Sequence, residues 1–111
     1  MSIPEVEVDE AARLIEEGAW LLDVREPSEW EAGHAPLAAW IPLGELGARL
    51  DEVPTDRTVA VVCRSGGRSA AATEALRSTG VDAVNIAGGM KAWANEGLEV
   101  VASDGLAGVV T

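Results

Sequence analysis

The run Thr58-Val59-Ala60-Val61-Val62 constrains this chain most strongly. It is β-branched, apolar and flanked by polar residues, and it predicts a buried strand. Further strand candidates lie at residues 5–8, 20–24 and 83–86, with a weaker one at 39–41 stopped by Pro42. Helical stretches separate them. Asp9 is placed to cap a helix whose apolar face is Ala11, Leu14 and Ile15, ending at Gly18. Ser28 and Glu31 have capping-box spacing and predict one short helix over 28–32, closed by Gly33. A helical turn or two is expected over 43–50, then an acidic loop with Pro54 over 51–56. An Ala-rich helix over 68–78 ends at Gly80, and Gly88-Gly89 opens a last helix through Ala92, Trp93 and Ala94. Short buried strands separated by helices imply an α/β fold: an open, largely parallel sheet with helices on both faces. Sites in such sheets form at the carboxyl ends of strands, and Cys63 falls at one.

The 111 residues amount to one domain, 1–111, long enough to bury a core and too short for two ordinary domains. With no Phe or Tyr, the core must be aliphatic, built around four Trp. A single cysteine forms no internal disulfide, and a small domain without staples reads as cytoplasmic. The first residues show neither the basic region nor the apolar stretch of a signal peptide. No apolar run approaches the ~20 residues of a membrane helix. A net charge of −11 makes nucleic acid and anionic membranes poor partners. The simplest use of so many acids is solubility; adaptation to salt and docking to a basic partner are the alternatives. No repeat and no metal-ligand cluster is visible.

Val61-Val62-Cys63-Arg64-Ser65-Gly66-Gly67-Arg68-Ser69-Ala70 carries the chemistry. A buried strand delivers a cysteine to a glycine-rich turn, and a helix starts at once. Such a turn points backbone N–H groups inward as an anion-binding nest, and the helix N-terminus adds positive potential. Gly66 and Gly67 suit backbone angles that a side chain would forbid, and Arg64 and Arg68 supply positive charge. A thiol in such a setting titrates below its usual ~8.5 and becomes a nucleophile at neutral pH. Taken alone, a lone cysteine at a strand end is more often inert; the strand–Cys–Gly-Gly–Arg–helix context reverses that balance.

Leu22-Asp23-Val24-Arg25-Glu26-Pro27, Glu29-Trp30, Gly33-His34, Cys63-Arg64-Ser65-Gly66-Gly67-Arg68-Ser69 and Gly88-Gly89-Met90-Lys91-Ala92-Trp93 together resemble the rhodanese family, in order and spacing, over residues 6–100. The resemblance implies a rhodanese-like parallel-sheet domain with its active-site loop at the carboxyl end of a central strand. It implies a sulfurtransferase: Cys63 would take a sulfane sulfur from a small donor such as thiosulfate, become a persulfide, and pass the sulfur to cyanide or to a small or protein thiol. Arg64, Ser65, Gly66, Gly67 and Arg68 would form the substrate-binding loop, with no metal or organic cofactor. Asp23 and Arg25 would brace the sheet end, and His34 would belong to a structural turn rather than act as a base. Trp30 and Trp93 read as packing residues, and Gly88-Gly89 as a close backbone approach.

Two features depart from the family pattern. Its turn after the histidine runs Ile, Pro, Gly, Ala, whereas this chain has Ala35-Pro36-Leu37-Ala38, which puts the turn geometry in question. Residues 102–111 lie beyond the resemblance, and a frayed end, an added edge element and a docking segment are all open. Two competing functions stand behind sulfur transfer. A phosphatase or arsenate reductase of the related fold would carry one more residue between Cys and Arg than the four between Cys63 and Arg68. A non-catalytic recognition module would typically have lost the cysteine.

Overall fold

Strand β4 (Val59–Val62) is buried at every position and lies at the centre of a five-stranded sheet. In the computed structural model, which describes residues 3–111, the remaining strands are β1 (Glu5–Val6), β2 (Trp20–Asp23), β3 (Ala39–Trp40) and β5 (Ala83–Ile86). Their order is β1-β5-β4-β2-β3, and every pairing is parallel. Each crossover carries helix: α1 (Val8–Glu16), α2 (Pro27–Ala32), α3 (Leu43–Leu46) with a 3-10 helix (Gly47–Glu52), and α4 (Gly67–Ser78). Helix α5 (Gly89–Asn95) follows β5.

Alternation along β4 divides the core. Val59, Val61 and Cys63 join Leu22, Val24, Ile41, Leu46, Ala72 and Leu76 on the face covered by α3 and α4. Ala60 and Val62 join Val8, Ala11, Leu21, Ile86, Met90 and Trp93 on the face covered by α1 and α5. Both faces of the central strand are thus dry, which is why it carries no polar alternation. The aliphatic core expected from the composition is present. Trp93 is buried, with its indole N–H donating to the Glu99 carbonyl at 3.0 Å.

Helix starts differ from the sequence reading. Asp9 lies inside the first turn of α1, and Glu7 holds the N-cap position without a side-chain cap bond. In α2 the capping box is formed by Glu26 and Glu29, not by Ser28 and Glu31. Pro27 occupies the first turn, so the helix begins earlier than Ser28. The expected loop over 51–56 gives its first two residues to the 3-10 helix.

Leu37 causes no strain. Residues 35–38 form a turn closed by Ala38 N–H to the Ala35 carbonyl at 3.1 Å, and among the described residues only glycines have positive φ. The turn therefore does not require a glycine.

Residues 102–111 fold back on the body. Val101 bridges antiparallel to both His34 and Ala107, and the Val109 N–H reaches the Ala32 carbonyl at 2.9 Å. Val100 and Val110 pack against the core face of α1 and α5. A Cβ on Gly33 would collide with the Val109 carbonyl oxygen, so this glycine admits the returning chain. Among the described residues, no helix is long and apolar enough to cross a membrane.

Candidate active site

Cys63 follows the last residue of β4, where the strand stops and the chain enters the turn 64–66. Its side chain is buried, 1% exposed, on the α4 face of the sheet. Gly66 N–H donates to Sγ at 3.1 Å, and the Ser69 hydroxyl lies 3.3 Å from it. Burial pushes the thiol up. The Ser69 hydroxyl, then the amides of Ser69, Gly66 and Ser65, outweigh it, and the net shift is downward. These donors would serve equally a negative charge carried by an atom attached to Sγ.

The two loop glycines are not equivalent. Gly66 sits at φ +114°, a conformation L side chains rarely adopt. Gly67 is the first residue of α4, and a Cβ there would meet nothing within 4 Å. The requirement expected of both glycines holds for Gly66 alone. Gly89 meets a stricter one. At φ +57°, a Cβ would collide with the Cys63 carbonyl oxygen and approach the Arg64 carbonyl carbon to 2.6 Å. This approach lets Met90 N–H reach the Cys63 carbonyl at 2.8 Å and Lys91 N–H reach that of Arg64 at 3.0 Å. The first turn of α5 thus fixes the backbone that carries the thiol.

Neither loop arginine is idle. Arg68 forks onto Glu29 of α2, Nη1 to Oε1 at 2.7 Å and Nη2 to Oε2 at 2.8 Å. The Arg68 hydrogen bonds hold the Glu29 carboxyl at about 2, against its ordinary 4.5. Arg64 points the other way, its Nε donating to the Thr111 carbonyl at 2.7 Å. Ser65 contributes its amide rather than its hydroxyl to the surroundings of Sγ.

Asp23 and Arg25 form a fully buried pair at the end of β2. Arg25 Nε lies 3.0 Å from Oδ1 and 3.1 Å from Oδ2, and Nη2 lies 2.8 Å from Oδ2. The Arg25 amide also donates to Asp23 Oδ1, and Nη2 reaches the Gly33 carbonyl at 2.7 Å. The pair thereby ties the strand end to the close of α2. His34 stacks on Trp30 at 3.6 Å between ring centroids, and Trp30 in turn stacks on Trp40 at 5.4 Å. His34 Nδ1 lies 2.7 Å from the Trp30 carbonyl; since a carbonyl only accepts, Nδ1 carries the hydrogen.

Three residues that the sequence reading left without a role shape this site. Ser69 stood in the motif, but its hydroxyl contact appears only once α4 winds it back over Sγ. Glu29 partners Arg68 across 39 residues, a distance no local pattern spans. Asn85, buried in β5, donates from Nδ2 to Gly66 O at 3.2 Å and to Glu5 Oε2 at 2.8 Å, and so holds the left-handed residue in place. A polar residue inside the apolar run 83–86 was its only signal.

Comparison with known proteins gives a consistent picture. The family model described as "Rhodanese-like domain" matches residues 7–96. A sulfurtransferase of Allochromatium vinosum is 41% identical over 90 residues, which cover 80% of this chain and 84% of the relative. The putative sulfurtransferase YtwF of Bacillus subtilis is 35% identical over 98 residues, covering 86% and 95% respectively. The crystal structure of a rhodanese-related protein from Thermoplasma volcanium superposes with a TM-score of 0.83 at 35% identity, covering 88% of this chain and 97% of that one.

Proposed function

Since the chain belongs to the rhodanese-like domain family and its relatives include a sulfurtransferase and a putative sulfurtransferase, we propose that it transfers sulfane sulfur through a persulfide on Cys63. One observation carries the reading: the thiol sits at the carboxyl end of the central strand, under amide and hydroxyl donors that favour its anion. With thiosulfate as donor, the Cys63 thiolate attacks the sulfane sulfur. A Cys63 S–S bond forms, the S–S bond of thiosulfate breaks, and sulfite leaves with the electron pair. The outer sulfur carries the negative charge, for which the amides of Ser65, Gly66 and Ser69 are the natural partners. In the second half, cyanide or a thiolate attacks the outer sulfur, and Cys63 leaves as the thiolate. Cys63 is the chain's only cysteine, so an outside nucleophile must complete the cycle.

The geometry favours this chemistry over phosphate or arsenate chemistry. An ester or oxyanion reaction at such a loop calls on its terminal arginine to bind the oxyanion, whereas Arg68 is forked onto Glu29. Cys63→Ser tests the proposal. It should fold normally, lose thiosulfate:cyanide sulfurtransfer, and fail to gain the mass of one sulfur atom on incubation with thiosulfate. Turnover close to that of the parent protein would refute the assignment.

A further inference from the structure

The charge that surrounds Sγ is the unexpected feature of this site. Of the two loop arginines, Arg68 is neutralised by a carboxylate on another helix, whereas Arg64 keeps its charge and directs its Nε to the Thr111 carbonyl. Glu29 is well placed for the clasp, since its Oε1 also accepts from Arg68 Nη1 while closing the capping box on Glu26 N–H. Its carboxylate is therefore held by two partners at once. Arg68 also feels the charges of Cys63 and Glu26, so the clasp lies within electrostatic reach of the thiolate. Asp23 and Arg25 neutralise one another. Among the described residues Arg64 is thus the loop cation left without a side-chain carboxylate partner, and the groups that hydrogen-bond Sγ itself are a neutral amide and a hydroxyl.

We propose that Glu29 is a specificity-determining residue: by occupying Arg68, it sets the site against dianionic sulfur donors and in favour of donors carrying a single charge. This rests on the reading of Cys63 given above. A dianion approaching Sγ meets the thiolate it must join, with the Arg68 guanidinium already neutralised by Glu29. A monoanion meets half of that repulsion, because Coulomb energy scales with the charge it carries.

Thiosulfate and the methanethiosulfonate anion separate the two cases. Each presents a terminal sulfane sulfur to the same attack. The second forms the same Cys63 persulfide as its S–S bond breaks and methanesulfinate leaves with the electron pair, but it carries one negative charge rather than two. Glu29→Gln removes the charge while keeping an oxygen for Glu26 N–H and for Arg68. The expected result is a rise of about tenfold in kcat/KM for thiosulfate and about threefold for methanethiosulfonate, so that the ratio between donors shifts toward the dianion. Should that variant fold poorly, Arg68→Gln reads the same effect with opposite sign. It leaves Glu29 unmasked, and thiosulfate should lose more than methanethiosulfonate. An unchanged donor ratio in the variants, or an equal loss with both donors as for a purely structural brace, overturns the proposal. A separate readout guards the premise. If neither donor adds sulfur to the parent protein by intact mass, the persulfide reading fails first and this inference falls with it.

Discussion

The Cys63 thiol is drawn toward its anion by donors that cost no counter-charge, and Ser69 is the one side chain among them. Ser69→Ala removes a hydroxyl from a charged acceptor, an interaction worth about 1.5–3 kcal/mol. The thiol should then titrate at least about one unit higher, as read from the pH dependence of thiolate ultraviolet absorbance. Turnover at neutral pH should fall with the thiolate fraction and recover as the pH is raised. An unchanged titration would leave the hydroxyl a mere neighbour of the sulfur. The glycines of the loop separate at the same scale. Gly66→Ala forces a Cβ into left-handed backbone and should cost about 1–2 kcal/mol in denaturant unfolding. Gly67→Ala enters open space at the start of a helix and should be neutral or mildly stabilising.

Helices α2 and α4 are joined at one point by the Glu29–Arg68 fork, whose effect on stability has a defined pH window. Glu29 titrates at about 2 in the folded chain against an ordinary 4.5, so its charged form is favoured by folding. Its stabilisation is complete above pH 4.5 and is lost progressively as the pH falls from 4.5 toward 2. The stability gap between the parent protein and Glu29→Gln should therefore be flat near neutral pH and close through that interval. A gap that persists below pH 2 would assign it to packing instead. The fork also marks where the sequence stops being legible. The strands at 59–62 and 83–86 and the helix after Cys63 announce themselves locally, through β-branched runs, a glycine turn and an alanine-rich stretch. The start of α2 misleads because two capping patterns overlap, Glu26 with Glu29 and Ser28 with Glu31, and the proline at the first helical position selects the earlier one. The partners of Arg64, Arg68 and Asn85 come from elements far away along the chain, as does the seat of residues 102–111 against Gly33. No periodicity encodes those meetings. The motif around Cys63 thus locates the candidate site, but not the direction in which its arginines point.

Over the whole molecule, the balance of charge carries the same theme outward. Among the described residues, six of the eight cationic side chains are paired with side-chain carboxylates, and Arg64 and Lys91 are not. The net charge of −11 is spread over a body of only 36 × 27 × 24 Å. At ~10 mM salt the screening length is about 30 Å, comparable with the body itself, so an approaching anion feels nearly all of that charge at once. At ~150 mM the length shrinks to about 8 Å, and only groups close to its path act. An enzyme that steers its anionic substrate with cations slows as salt is added, because screening removes the attraction. This protein should do the opposite. Its kcat/KM for thiosulfate should rise several-fold between those two salt concentrations, with about half the logarithmic slope for methanethiosulfonate, which carries half the charge. The comparison is made at one pH and with one inert salt, so that the protonation of Cys63 and competition by the salt's own anion are common to both donors. A rate that falls with salt for both donors would mean that Arg64 and Lys91 dominate the approach and that the acidic surface plays no part in it.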